Sequence, residues 1–145
     1  MKWRARTLEA RRGGDPGRFI RARILLVEDH GDSLELMAYL LTAFGHVVFT
    51  ARSGEAGLSL AERERPDLVL CDLNLPGIDG YEMARRIKED SVLRDTPLVA
   101  VTAFAMVGDR ERILATGFDG YLPKPIEPEA FVSQVEAFLP GKEKG

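Results

Sequence analysis

The chain is short of cysteine, of long apolar runs and of anything resembling an export signal, and each shortage removes a class of protein. One cysteine, Cys71, in 145 residues cannot close an internal disulfide, which argues against a small disulfide-stapled secreted scaffold. In a run of apolar neighbours it reads as a small buried hydrophobe. No apolar stretch approaches the ~20 residues needed to cross a bilayer. The N-terminus is basic but has no apolar h-region. These absences point to the cytoplasm. What is present suits one soluble domain: 45% hydrophobic and 30% charged residues, in a chain long enough for one real core but not two.

Charge is unevenly placed. Residues 1–23 carry eight Lys/Arg against Glu9 and Asp15, a balance of +6. The whole chain is at -3, so residues 24–145 hold -9. The same segment contains Arg11-Arg12-Gly13-Gly14-Asp15-Pro16-Gly17, which continues neither a helix nor a sheet. It reads as a basic, disordered extension, with an arm for nucleic acid or an acidic partner as the alternative. Trp3 is its one hint of docking. Residues 140–145 read as a disordered tail after Pro140-Gly141.

From Ile24 to Leu139 the pattern is regular. Ile24-Leu25-Leu26-Val27 is a buried strand that ends on Glu28-Asp29. Asp32 or Ser33 caps a helix with Leu34, Met37, Leu41 and Phe44 inward, closed by Gly45 at C′. Val47-Val48-Phe49 is the second strand. Ser53 caps a second helix with Ala56, Leu60 and Ala61 inward, which stops before Pro66. Leu68-Val69-Leu70-Cys71 is the third strand, and Tyr81, Ala84 and Ile87 face inward from the third helix. Leu98-Val99-Ala100-Val101 ends on Thr102, Arg110 to Thr116 is the fourth helix, and Gly120-Tyr121-Leu122 is a brief fifth strand. The fifth helix starts near Pro128 and buries Phe131, Val135, Phe138 and Leu139. Alternating strands and helices imply an α/β fold with a doubly wound, five-stranded parallel sheet, order 2-1-3-4-5. Strands apolar throughout fit burial on both faces.

The strand ends carry the chemistry. Strand one ends on Glu28-Asp29, three on Asp72, four on Thr102, and Lys124 follows five. In this strand order they converge at the carboxyl edge of the sheet, where open α/β sheets bind ligands. Carboxylates ~4 Å apart repel by several kcal/mol per pair at an effective dielectric near 20. Such a cluster holds protons or binds a cation, and an all-oxygen set suits Mg²⁺. A cation site, a lysine and a hydroxyl around one carboxylate describe phosphoryl transfer to Asp72.

Four blocks complete the picture: Val27-Glu28-Asp29, Asp72-Leu73-Asn74-Leu75-Pro76-Gly77-Ile78-Asp79-Gly80, Val101-Thr102-Ala103 and Tyr121-Leu122-Pro123-Lys124-Pro125. Over residues 24–139 the chain resembles the CheY-like receiver domains of two-component response regulators. Thr102-Ala103-Phe104-Ala105-Met106 and Gly108-Asp109-Arg110-Glu111-Arg112-Ile113 are similar to stand-alone receivers of the DivK type. The resemblance implies a phosphorelay module in which Asp72 accepts phosphate from a sensor histidine kinase or a histidine phosphotransfer protein. Glu28, Asp29, Asp72 and the backbone carbonyl of Asn74 would hold Mg²⁺, with Mn²⁺ able to substitute. Thr102 and Lys124 would bind phosphoryl oxygens, and Thr102 with Tyr121 would form a switch acting on helix four, strand five and helix five. Such a module is not an enzyme beyond its own phosphorylation and dephosphorylation. Its partners would be the kinase and one downstream protein, with no DNA-binding domain, no membrane, and a monomer or weak dimer.

Competing readings are weighed on particular residues. Asn74 and Phe104 lie two residues after Asp72 and Thr102, at the mouth of the site. There Asn74 would orient a hydrolytic water and Phe104 would exclude it. Asp79 is explained by turn chemistry before the third helix, His30 by a loop facing water, and His46 has no assigned role. The resemblance favours a cis Lys124–Pro125 bond. A flavodoxin-like enzyme would need donors where Glu28-Asp29 stand. An aspartyl phosphatase would want an acid at Asn74. A phosphorylation-independent adaptor would not need the intact site.

Overall fold

The computed structural model describes residues 20–103 and 107–140. Most of the basic extension, Phe104 and residues 141–145 therefore lie outside the described residues. In chain order the elements are β1 (Arg23–Val27), α1 (Gly31–Ala43), β2 (Val47–Ala51), α2 (Gly54–Glu64), β3 (Leu68–Cys71), α3 (Gly80–Glu89), β4 (Leu98–Thr102), α4 (Val107–Thr116), β5 (Gly120–Pro123) and α5 (Pro128–Glu136). The five strands form one parallel sheet in the order β2-β1-β3-β4-β5.

The period-two alternation of the strands builds two cores. Leu25, Val27, Val69, Cys71, Leu98 and Ala100 face a layer made by α2, α3 and α4. Ile24, Leu26, Leu68, Leu70, Val99 and Val101 face α1 and α5. β1, β3 and β4 are almost wholly buried, whereas β2 at the sheet edge is half exposed. The order expected from the sequence, with helices on both faces, is the order found.

Several local expectations shift. The first strand starts at Arg23, and Ala22 before it is already buried, so order begins earlier than residue 24. Neither Asp32 nor Ser33 caps α1. The helix starts at Gly31, the N-cap is His30 without a side-chain bond, and Asp32 sits in the first turn, where its charge complements the helix dipole. Gly45 does close α1, at φ 98°. Ser53 does cap α2, its Oγ accepting from Ala56 N–H at 3.1 Å. Ala56 itself is exposed; the buried face of α2 is Gly54, Gly57 and Ala61. α4 begins at Val107, three residues before the expected Arg110. α5 ends at Glu136, and Phe138 and Leu139 pack on the same core from beyond it.

Candidate functional site

Each strand that ends in a polar residue delivers it to the same edge, because parallel strands leave the sheet on one side. Glu28, Asp72 and Thr102 are all buried there, at 1%, 4% and 0% exposure, which is costly unless each group has partners. Backbone bonds fix the strand ends. Glu28 N–H donates to Ala51 carbonyl at 3.0 Å, Asp72 N–H to Val27 carbonyl at 2.9 Å, and Lys124 N–H to Thr102 carbonyl at 2.9 Å. The Lys124–Pro125 bond is cis.

Lys124 closes the site. Its Nζ donates to Asp72 Oδ2 at 2.9 Å and lies 2.6 Å from Glu28 Oε1. Burial works against the ammonium, but bonds and charge from Glu28 and Asp72 outweigh it and raise the Lys124 pKa above its ordinary 10.5. The other Asp72 oxygen, Oδ1, accepts from Asn74 N–H at 3.0 Å. Glu28 Oε2 accepts from His30 N–H at 3.1 Å.

Two buried carboxylates face one ammonium, so the pocket keeps an excess of negative charge. Glu28 Oε1 is also buried without an aligned hydrogen bond, although Lys124 Nζ lies 2.6 Å away. Both observations fit a site built to accept a cation. Among the described residues, the donor atoms lying within 4.8 Å of one another belong to Glu28, His30 and Asp72. The group contains His30, whose Nδ1 is 3.4 Å from Glu28 Oε2, and does not contain Asp29. Asp29 is half-buried, and its carbonyl accepts from Arg52 Nη2 at 2.7 Å. Asn74 is exposed at the rim.

Tyr121 sits on β5 opposite Ala100 of β4, two residues below Thr102 on the same face. It is half-buried against the α2–α3–α4 core, and its hydroxyl accepts from Arg110 Nε at 2.9 Å. Asp79 is the N-cap of α3, its Oδ1 accepting from Glu82 N–H at 2.9 Å, as the turn reading required. Two clefts flank the carboxyl edge. One of about 340 Å³ is lined by Asn74, Asp79, Tyr81, Asp109 and Arg112. The other, about 310 Å³ and more apolar, is lined by Leu36, Met37, Lys124, Pro125 and Ile126. Sequence reasoning gave no role to Arg52, Arg110 and Arg112; the last two lie in the block similar to the DivK type, but nothing local announces the partners of any of the three.

Known proteins are similar to this chain in sequence and fold. Residues 24–136 match the response regulator receiver domain family. The polar-differentiation response regulator DivK of Brucella anthropi is 40% identical over 116 residues, which cover 80% of this chain and 94% of DivK. CheY4 of Vibrio cholerae superposes with a TM-score of 0.79 at 27% identity, covering 83% of this chain and all of CheY4 (100%). The receiver domain of the sensor histidine kinase PA1611 from Pseudomonas aeruginosa, solved with a magnesium ion coordinated in its active-site cleft, superposes with a TM-score of 0.75 at 34% identity over 82% of this chain and 98% of that one. With the strand order and the acidic carboxyl edge already in hand, these matches mean that the chain belongs to the response regulator receiver family, as a phosphoacceptor module of two-component signalling.

Proposed function

We propose that Asp72 is the phosphoacceptor, taking its phosphoryl group from the phosphohistidine of a sensor kinase or a histidine phosphotransfer protein in the cytoplasm. The observation that carries this reading is Lys124 Nζ held between Asp72 and Glu28 at 2.9 and 2.6 Å. A carboxylate oxygen of Asp72 attacks phosphorus in line. The new O–P bond forms as the P–N bond breaks, and the imidazole leaves with the electron pair and takes up a proton. Asn74 N–H keeps one Asp72 oxygen oriented, while Lys124 and the Thr102 hydroxyl bind the phosphoryl oxygens as charge builds on them. Glu28, Asp72, the neighbouring Asp29 and the Asn74 carbonyl would hold Mg²⁺, or Mn²⁺ in its place. When bound, the ion supplies neutralisation of the phosphoryl charge.

The donor approaches over α1. Leu36 and Tyr39 are large apolar residues exposed at 39% and 61% one turn apart on that helix, and the apolar cleft beside Lys124 continues the surface. Phosphate then draws Thr102 toward Asp72, Tyr121 moves inward, and the face of α4, β5 and α5 changes its affinity for a downstream protein. This is a population shift driven by differential contacts. The test is intact mass after incubation with Mg²⁺ and acetyl phosphate. One acid-labile phosphoryl group is expected on the wild type, and none on Asp72→Asn or in EDTA. An equal gain in the variant would remove Asp72 from the role.

A further inference from the structure

α4 is attached to the rest of the molecule in an unusual way. Of its side chains from Gly108 onward, Ile113 alone is fully buried. A helix with so narrow an apolar stripe gains little from packing and opens at low cost. Two arginines make up the difference. Arg112 lays its guanidinium carbon 3.9 Å from the ring centre of Tyr81 on α3. Arg110, two residues earlier and so about 200° around the helix, turns to the other neighbour. Its Nε donates to Tyr121 Oη at 2.9 Å and its guanidinium carbon lies 5.7 Å from that ring's centre.

The phenol of Tyr121 is thus gripped at both its ring and its hydroxyl by one residue of the helix beside it. We propose that Arg110 is a positioning residue that latches Tyr121 in its resting place and so sets how readily the receiver responds to phosphate. The proposal rests on the reading of Tyr121 as the switch and adds what opposes its movement. The consequence is one of linkage. If the latch favours the resting state by some factor, removing it must raise by that factor the affinity of any ligand that prefers the shifted state. Arg110 does not reach the reacting carboxylate and acts through the tyrosine.

The chain has three tyrosines, so 3-fluorotyrosine labelling gives three ¹⁹F NMR lines, assignable by Tyr→Phe variants. The full chain is titrated with beryllofluoride in excess Mg²⁺, as a stand-in for the phosphoryl group. In Arg110→Ala the unliganded Tyr121 line moves toward the beryllofluoride-saturated position. Half-saturation falls about threefold, the scale of an exposed cation–π contact. Arg110→Lys, which keeps a cation and a donor, recovers part of both effects, and Glu111→Ala on the same exposed helix surface recovers the wild-type values. The Tyr81 and Tyr39 lines stay put in every variant, which separates a released latch from a loosened fold. An Arg110→Ala protein with an unmoved Tyr121 line and unchanged half-saturation overturns the latch and leaves the switch intact. A Tyr121 line that ignores saturating beryllofluoride in the wild type removes the switch, and the latch with it.

Discussion

Cys71 ends β3 one residue before Asp72, with its Sγ 3.2 Å from the Asp72 carbonyl and 3.7 Å from Met83 Sδ. Burial, and then the negative charges of Asp72, Glu28 and Asp79, push its thiol far above the ordinary 9.0. The unfolded thiol ionises near 9.0 while the native one stays protonated. The stability this represents is therefore complete below pH 9.0 and falls as pH rises past it. Tyr81 is also raised, by burial against the counter-pull of Arg112, but from 10.0. Lys124 is raised from 10.5, so its contribution is lost only above that value. The interval between 9.0 and 10.0 thus belongs to Cys71. Urea midpoints measured at about pH 8 and about pH 10 should show a loss of roughly 1 kcal/mol in the wild type. Cys71→Ala should lose clearly less over the same interval. Residues of this kind were half legible. Asp72 and Lys124 stood out because a charge ending an apolar run is conspicuous. His46 was given no role because its partner, Glu136, is 90 positions away and nothing local announces it.

Among the elements, α2 shows why a buried face can be misread. Its inner positions are Gly54, Gly57 and Ala61, and glycine gives no hydrophobic signal, so the face of closest approach looked like a gap in the pattern. The glycines are there for space. A Cβ on Gly57 would meet Val27 Cγ2 at 2.8 Å and Met83 Cε at 2.9 Å. The methionine tip can move aside, but a β-branched side chain in a central strand cannot. Gly57→Ala gains up to ~1 kcal/mol in helix propensity and loses about 1–3 kcal/mol to overpacking, so a net loss is expected. Gly108 on α4 has nothing within 4 Å of such a Cβ, and Gly108→Ala should be stabilising by up to ~1 kcal/mol. Thermal melts of the two variants should therefore shift in opposite directions. The same limit explains the late start read for α4. A helix that buries so little offers almost no periodicity from which to place its first turn.

For the molecule as a whole, the amino end of the sheet carries its own tie. His46 Nδ1 accepts from Ala22 N–H at 3.0 Å, and its Nε2 lies 2.7 Å from Glu136 Oε2, both side chains being buried. One imidazole thereby joins the entry to β1, the turn before β2 and the end of α5. Glu136→Ala leaves the imidazole buried without that partner and should cost roughly 3 kcal/mol in urea unfolding. Phosphorylation of Asp72 by acetyl phosphate should survive, since the tie sits at the opposite end of the strands. Architecture at this scale was the most legible of all. Five apolar runs separated by helical patterns admit few right-handed arrangements, and four polar strand ends needed only the strand order to bring them together.

β3 is the middle strand of the five, paired to β1 on one side and β4 on the other, with a core against each face. To open it is to expose both cores together, so the backbone under Asp72 is released only at close to the free energy of unfolding the domain. α4, in which Ile113 is the one fully buried side chain from Gly108 onward, is expected to be released for less. The molecule thus runs two clocks a helix-width apart. The carboxylate proposed to react is fixed on the slow one, as an aimed nucleophile must be, and the helix beside Tyr121, the proposed switch, keeps time on the fast one.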